Sequence, residues 1–312
     1  MYDKPNFLIV GASRSGTTSL AKYLNAHPDI YIPKQKELRY FVKDVINNTS
    51  RWDPLRNDII SKSKLNKNEY FSLMNGRNTK LVGEASIHYL NHPNISIPNI
   101  HRHVGDIPII IMIRNPVHRL ISNWKYMLHD LYSLEKTIKM EDIRKRYNYN
   151  SFWFYKQQSM YYSKIKAFKE SFKSVKILIF EDFFKNVNNN MLDCYNFLNI
   201  DPPLESIDYI NLPDYDNNNS ELKFKNRIFC FKNNSFLNKV ENRYVYYFLS
   251  HLAVKFISFT NKLGIKINFF QKKQVSENDL EEIFYQFEDD IFKLEKLIDL
   301  DLSIWKSNLI KK

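Results

Sequence analysis

A buried strand that leads into a loop bounded by glycines, and then into a helix, is the feature that most constrains this chain. The apolar run at residues 7–10 is followed by Gly11 and Gly16, and a helical pattern begins at Thr17. The 312-residue chain has only 6 glycines, so a loop that uses two of them needs their backbone freedom. Two glycines at this spacing let successive N–H groups point at one anion beside the positive end of the helix. The sequence therefore predicts a phosphate-binding loop.

Short apolar runs alternate with helical patterns along the chain. Runs at residues 7–10, 80–82, 108–113 and 175–180 are typical of buried strands, and helical patterns cover residues 17–26, 117–131, 156–172 and 191–198. This alternation predicts an α/β fold with a P-loop-like parallel β-sheet flanked by helices. We expect one domain over residues 1–312, with a cofactor core at about 5–200, a helical acceptor or cap region at about 206–275 and a C-terminal helix at about 277–299. The C-terminal helix is predicted by an apolar stripe at helical spacing after Ser276.

The glycine loop differs from a Walker A loop at one position that matters chemically. The G-x-x-x-x-G spacing is the same, but Thr17 stands where that motif has lysine, and Arg14 places a positive charge inside the loop. A P-loop kinase or nucleoside triphosphatase remains an alternative, although it would lose its lysine contact with the phosphates. A chelator separates the two functions, because such an enzyme needs a divalent cation.

Two segments resemble the cofactor-binding elements of the sulfotransferases that use PAPS (3′-phosphoadenosine 5′-phosphosulfate). The first is similar to their 5′-phosphosulfate loop and comprises Arg14, Ser15, Gly16, Thr17, Thr18 and Ser19. The second is similar to their 3′-phosphate element, in which a strand ends in Arg114 and Ser122 follows on the next helix. Arginine offers a fork of donors to a phosphate, and serine adds a hydroxyl. The counterpart of the family's glycine-rich 3′-phosphate loop is Lys225, Asn226 and Arg227.

Further segments match the same family in the expected order along the chain. They are Lys36-Glu37-Leu38-Arg39-Tyr40-Phe41, Gly83-Glu84-Ala85-Ser86 with Tyr89, Ile179-Phe180-Glu181-Asp182 and Asp301-Leu302-Ser303-Ile304-Trp305. The resemblance implies PAPS as cofactor and PAP as product, with no metal required. It also implies that Glu37 is the base, that Lys36 orients the sulfuryl oxygens and that Arg14 stabilises the leaving phosphate. The role of Arg14 is electrostatic, because arginine keeps its proton at neutral pH. The side chains expected to contact the acceptor are Arg39, Glu84, Ser86, Tyr89 and Ser159.

The net charge of +12 favours an anionic partner, and it is equally consistent with a lysine-rich, solvated surface. A nucleic-acid-binding protein is a second alternative, motivated by the mixed basic and aromatic residues at 144–162, although no specific nucleic acid is indicated. A membrane-peripheral module built on the apolar residues 244–270 is a third. Within the sulfotransferase interpretation, a glycan, a glycolipid or a small hydroxylated metabolite fits as the acceptor.

The remaining composition argues against a metal centre and a membrane span. The two cysteines, Cys194 and Cys230, form no CxxC pair, and the histidine pairs at 88/92 and 101/103 have no supporting carboxylate cluster. No stretch of 18 apolar residues is present, and the chain starts without a signal-like segment. We therefore expect a cytoplasmic protein, with peripheral membrane contact left open.

Overall fold

The computed structural model describes residues 4–61, 63, 65–75, 79–127, 130, 132–205, 207–209 and 275–310. The predicted 3′-phosphate loop at Lys225, Asn226 and Arg227 lies outside the described residues. So does the predicted cap region, apart from residues 207–209 and 275.

A parallel sheet forms the centre of the described structure. Its strands are β1 (Phe7–Gly11), β2 (Ile30–Tyr31), β3 (Leu81–Ala85), β4 (Ile109–Ile113) and β5 (Val175–Ile179). They lie in the order β2-β3-β1-β4-β5, and all four pairings are parallel. The predicted α/β fold is confirmed. Because β1 lies between β3 and β4, the loops that follow these three strands meet at one edge of the sheet.

Helices cover the sheet and fill the connections. The segments before β4 are α1 (Thr17–Asn25), α2 (Lys43–Asn47), α3 (Arg56–Ser61), α4 (Lys67–Ser72), α5 (His88–Asn91) and α6 (Pro93–His103), with a 3-10 turn at Tyr40–Val42. Between β4 and β5 lie α7 (Pro116–Tyr126), α8 (Leu134–Lys139), α9 (Glu141–Arg146), α10 (Tyr155–Ser159) and α11 (Tyr162–Ser171), with a 3-10 turn at Ser151–Trp153. After β5 come α12 (Phe180–Phe183), α13 (Val187–Phe197), α14 (Glu277–Tyr285), α15 (Glu288–Ile298) and α16 (Ile304–Ile310).

The central strands are apolar along their whole length because both faces of the sheet are covered. Leu8 and Val10 belong to one buried cluster, whereas Phe7 and Ile9 belong to the other. The residues of β4 divide in the same alternating way. This alternation is the two-residue period of a strand, so each face of the sheet has its own core.

Three predicted helices differ from the structure. The C-terminal helix predicted over 277–299 is two helices, α14 and α15, which separate at Gln286 and Phe287. The helix predicted over 156–172 is also two, α10 and α11, because the Asp290 carboxylate accepts hydrogen bonds from the backbone N–H groups of Tyr161 and Tyr162 and so begins a new helix there. The helix predicted over 117–131 ends at Tyr126, and Met127 is extended.

Two strands also differ from their predictions. β3 continues from the predicted 80–82 to Ala85, and Phe180, predicted to end a strand, begins α12 instead. The two-residue strand β2 was absent from the prediction, because two residues carry no readable period.

Candidate active site

The loop after β1 has the conformation that its glycine spacing predicts. Gly16 precedes α1 with φ 86°, and Arg14 lies at φ 64°, also in the left-handed region. A Cβ at position 16 would stand 2.8 Å from the Phe184 ring and 3.1 Å from the Met112 sulfur. Glycine is therefore required for the turn and for the close packing beneath it, and the first N–H groups of α1 face the end of the loop.

The Arg14 side chain joins this loop to helix α7. Its Nε donates to Ser122 Oγ at 3.2 Å, and its guanidinium lies 4.4 Å from the centre of the Tyr126 ring. The structure thus brings together Arg14 and Ser122, which the sequence assigned to two separate phosphate elements.

Arg114 follows β4 and reaches the same loop from the other side. Its Nη1 donates to the Arg14 carbonyl at 3.5 Å, and its guanidinium lies 4.4 Å from the centre of the Phe180 ring. Among the described residues, Arg114 Nε and Ser13 Oγ are buried without a hydrogen-bond partner. Burial lowers the pKa of Arg114, which Glu181 partly offsets. A half-buried arginine whose Nε is buried and unused, beside a buried hydroxyl that is also unused, is what an anion-binding site requires.

Asn115 and Glu181 fix the turn that carries Arg114. Asn115 Oδ1 accepts from the N–H groups of Val117 and His118 and so caps α7. Glu181 Oε1 accepts from the Asn115 N–H at 3.0 Å, and Glu181 Oε2 accepts from Trp305 Nε1 at 3.1 Å. Asn115 Nδ2 in turn donates to the Trp305 carbonyl at 2.7 Å. The Asp-Leu-Ser-x-Trp segment therefore braces the Arg114 turn.

The turn at residues 36–39 places Glu37 and Arg39 on either side of the buried Leu38. Both flanking residues are left-handed, with φ 59° for Glu37 and φ 55° for Arg39. The Glu37 N–H donates to the Ala85 carbonyl at 3.1 Å, which ties the turn to the end of β3. Non-glycine residues seldom adopt this conformation, and such strain is concentrated at functional sites.

The Glu37 carboxylate is held by groups from the segment after β3. The Ile87 N–H lies 3.4 and 3.3 Å from the two carboxylate oxygens, and His88 Nδ1 lies 3.3 Å from Oε2. The side chain remains 24% exposed. Burial by itself raises the pKa of Glu37, but neighbouring groups, among them the charges of Arg39 and Lys36, outweigh it and lower the pKa. Glu37 is thus an ionised carboxylate that reaches the surface, as a general base must be.

Three of the side chains expected to contact the acceptor form a closed network instead. Glu84 is 1% exposed and accepts hydrogen bonds from Ser86 Oγ at 2.5 Å, Tyr89 Oη at 2.7 Å and Tyr70 Oη at 3.3 Å. Burial raises the pKa of Glu84 to about 7 despite these donors. Ser86 Oγ also accepts from the Arg39 N–H at 3.1 Å. Glu84, Ser86 and Tyr89 therefore hold the turn at residues 36–39 from inside, and their expected contact with an acceptor stays a prediction.

The other two expected acceptor contacts are buried as well. Ser159 Oγ accepts from Arg119 Nε and donates to the Pro116 or the Tyr155 carbonyl, all within the interior. Arg39 is 5% exposed and lies beside Glu37. Both side chains are buried in the structure, and their expected contact with an acceptor stays a prediction.

Sequence reasoning missed His88, Tyr126 and Tyr161. His88 lies between Ser86 and Tyr89 but has no recognisable spacing of its own, and the sequence suggested it only as a weak metal ligand. Tyr161 Oη donates to the Arg114 carbonyl at 3.0 Å, a contact between residues 47 apart that no local pattern encodes. Burial lowers the pKa of Arg39, and Tyr126, which packs on Arg14, is one of the groups that partly offset this effect, so it links the glycine loop to the Glu37 turn.

The described part of the chain has neither a metal-binding cluster nor a membrane-spanning helix. It holds no group of three or more His, Cys, Asp or Glu side chains arranged for a metal ion. None of its helices combines the length and the apolar character needed to cross a membrane.

Comparison with known proteins decides the family. A sequence profile described as "Sulfotransferase family" matches residues 5–203, which is more than half of the chain. The chain belongs to the sulfotransferase family. The matched residues include both phosphate elements, the Glu37 turn and the Glu84 network.

A solved structure extends this similarity to the C-terminal segment. The crystal structure of a sulfotransferase from Alicyclobacillus acidocaldarius is 27% identical in sequence, with a TM-score of 0.67. The alignment covers 97% of this sulfotransferase and 99% of that one. A curated relative, "Membrane-associated sulfotransferase kil1" of Dictyostelium discoideum, is 32% identical over 124 residues. That match covers 40% of this chain and 23% of the relative, so the chain aligns with less than a quarter of that protein's length.

Proposed function

We propose that this sulfotransferase moves the sulfuryl group of PAPS in line to a hydroxyl or amine of an acceptor. The proposal is supported chiefly by the convergence of Arg14, Ser122 and Arg114 from two loops and a helix at one edge of the sheet. A sulfuryl transfer, like a phosphoryl transfer, needs positioning and charge stabilisation more than covalent help from the protein.

PAPS would supply the sulfuryl group and leave as PAP, and the residues present fit such an anion. The N–H groups of the first turn of α1 and the Arg14 guanidinium would hold the 5′-phosphate, together with the residues Ser15, Gly16, Thr17, Thr18 and Ser19. Arg114 and Ser122 would hold the 3′-phosphate, and the unused buried Arg114 Nε supports this assignment. Lys225, Asn226 and Arg227 remain our candidates for a third phosphate contact.

Arg14, Lys36 and Glu37 each have a separate role in the proposed reaction. Arg14 stabilises the negative charge that builds on the leaving phosphate, and Lys36 orients the sulfuryl oxygens. Glu37 takes the proton of the attacking hydroxyl or amine. Its lowered pKa keeps the carboxylate ionised at neutral pH, so it is ready to accept that proton.

We propose a carbohydrate or a glycolipid as the acceptor. A small hydroxylated metabolite satisfies the same chemistry. A panel of glycans, glycolipids and small alcohols incubated with radiolabelled PAPS distinguishes these classes by which product carries the label.

Substitution of Glu37 by Gln tests the mechanism. The amide keeps the shape of the side chain but cannot take a proton, so turnover should fall by about a hundredfold or more while PAP binds normally. Glu141→Gln is the matched control, because Glu141 is also buried and also accepts from backbone N–H groups, at Lys156 and Gln157. Turnover of Glu37→Gln equal to that of the wild type in a labelled-product assay would refute the base assignment.

Peripheral association with a membrane is a separate proposal, motivated by the name of the membrane-associated Dictyostelium relative. The apolar residues 244–270 that suggested it lie outside the described residues. Flotation with anionic and with neutral vesicles tests it, and recovery of the protein from the bottom fraction in both cases contradicts it.

A further inference from the structure

Arg39 is a buried cation whose position beside Glu37 is unusually well fixed. Its side chain is almost fully buried, and burying an arginine is costly unless its donors and its charge are satisfied. Nη1 donates to the Ile59 carbonyl at 3.3 Å, Nε donates to His88 Nδ1 at 3.2 Å, and the backbone N–H donates to Ser86 Oγ at 3.1 Å. These three bonds connect Arg39 to α3, to α5 and to the end of β3.

Arg39 forms an ion pair with the carboxylate of Glu37. Arg39 Nε lies 4.0 Å from Glu37 Oε2, beyond a direct hydrogen bond but within strong electrostatic range. Opposite charges at this separation favour the ionised form of a carboxyl and lower its pKa. The charge of Arg39 therefore acts on the residue proposed as the base.

His88 explains why Arg39 stays in this position. Its ring is fully buried and packs edge-on against Phe152 at 4.7 Å. Arginine Nε can only donate, so Nδ1 must be the acceptor in the bond from Arg39. Burial and the neighbouring Arg39 both lower the pKa of His88, which is consistent with a neutral ring that offers a lone pair at Nδ1. The same atom lies 3.3 Å from Glu37 Oε2, but as an acceptor it has no proton to donate there, so His88 acts on Glu37 through the Arg39 that it anchors.

Other charges near Glu37 do not replace Arg39. Lys36 also favours the ionised form of Glu37, but its ammonium is carried on a flexible four-carbon side chain that is only half-buried. Glu84 interacts with Glu37 electrostatically, but burial raises its pKa to about 7, so it is a like charge only above that pH. Among the described residues, the titratable and charged groups that act on Glu37, Arg39 or His88 include Lys36, Glu84, Tyr89, His92 and Tyr126.

We propose that Arg39 and His88 are positioning residues that keep Glu37 ionised and aimed as the base, and that neither contacts the acceptor. The proposal rests on the proposed role of Glu37. It assigns a function to an arginine that the sequence had placed in the acceptor site, and to a histidine that the sequence had not placed in the site at all.

The pH dependence of kcat/KM tests the charge of Arg39. In the wild type, the acidic limb that reports Glu37 should lie below the ordinary glutamate pKa of about 4.3. Arg39→Gln removes the charge and leaves the burial that raises the pKa, so the limb should move up by about one pH unit or more. Arg39→Lys keeps a positive charge and should restore most of the shift. PAP affinity should remain within about twofold of the wild type in both variants, because Arg39 does not touch the phosphate elements.

Two substitutions of His88 test its role as the anchor. His88→Phe keeps an aromatic ring against Phe152 but removes the acceptor for Arg39 Nε, so the acidic limb should move up as it does in Arg39→Gln. His88→Asn retains a carbonyl oxygen near the Nδ1 position and should give a smaller shift.

A matched control separates a positioning role from a merely structural one. Arg144→Gln removes another buried arginine, which pairs with Asp130 at 3.0 Å, and should lower stability without moving the limb. Loss of activity in Arg39→Gln that is uniform across pH, with the limb unmoved, would overturn the inference while leaving the base role intact. Full turnover in Glu37→Gln would instead overturn the proposed function on which the inference rests.

Discussion

At the scale of single residues, Arg114 has the most specific expected ligand. Arg114→Ala should weaken PAP binding by about ten- to a hundredfold, since a charge-assisted bond to a phosphate is worth about 1.5–3 kcal/mol. Adenosine 5′-phosphosulfate lacks the 3′-phosphate, so its affinity should change much less. Calorimetric titration of both ligands into both proteins measures the difference. Equal losses for the two ligands would contradict the 3′-phosphate assignment.

Glu84 should make stability depend on pH in an unusual direction. Its pKa is raised from 4.5 to about 7 in the folded protein, so between these values the native state binds a proton that the unfolded chain has lost. The stabilisation is fully present below about pH 4.5 and is lost as the pH rises through 7. It should amount to about 3 kcal/mol.

Glu84→Gln measures this contribution, because the amide does not titrate. The difference in free energy of unfolding between the wild type and the variant, from urea titrations at several pH values, should decrease as the pH rises. Glu135→Gln, at an exposed helix position, should leave the wild-type slope unchanged. A difference for Glu84→Gln that is constant across this range would show that Glu84 is ionised in the folded protein.

At the scale of elements, the sequence predicted those segments whose pattern is set locally. The strands β1, β4 and β5 were found because buried parallel strands are continuous apolar runs. The break between α14 and α15 could not be predicted, because Phe284, Phe287 and Ile291 keep helical spacing across it. The break before α11 depends on Asp290, about 130 residues further along the chain, and no local window contains both. Helix breaks made by distant side chains are therefore not readable from periodicity.

Trp305 connects the C-terminal segment to the Arg114 turn, and its removal should affect binding as well as stability. Trp305→Phe keeps a ring near Tyr161 but removes the indole donor to Glu181. The unpaired acceptor should cost about 1–3 kcal/mol of stability. The loosened turn should weaken PAP binding by up to about tenfold, which corresponds to 1.4 kcal/mol.

The chain offers a closely matched control for this substitution. Trp153 Nε1 also donates to a buried carboxylate, Asp53 Oδ1, at 2.8 Å. Trp153→Phe should reduce stability by a similar amount and leave PAP affinity unchanged. A similar loss of PAP affinity in both variants, measured by calorimetry, would mean that the Trp305 effect is only general destabilisation.

At the scale of the whole molecule, the candidate site is assembled from segments far apart in the sequence. Arg14 and Ser122 are 108 residues apart, and Asn115 and Trp305 are 190 apart. The motifs pointed to Arg14, Ser122, Arg114 and Glu37, and the strand order explains why the loops after β1, β3 and β4 meet. His88 could not be predicted, since its role follows from the turn at 36–39 folding back onto α5. We propose that the chain is one domain, because a single core cluster includes residues from Leu8 to Trp305.

The net charge of +12 raises the question of which anionic ligand binds and stabilises this chain. A ligand that binds only the folded state raises its stability, and PAP at a hundredfold excess over its Kd should add about 2.7 kcal/mol. EDTA should not change this value, and added salt should reduce it because the contacts are charged.

Thermal unfolding with PAP, with ATP and Mg²⁺, and with duplex DNA compares the three kinds of partner that the charge allows. Stabilisation by ATP that disappears in EDTA would favour a P-loop kinase. Salt-sensitive stabilisation by DNA without any effect of PAP would favour a nucleic-acid-binding protein. Arg114→Ala should lose most of the PAP effect, because the stabilisation comes from the phosphate elements and not from the surface lysines.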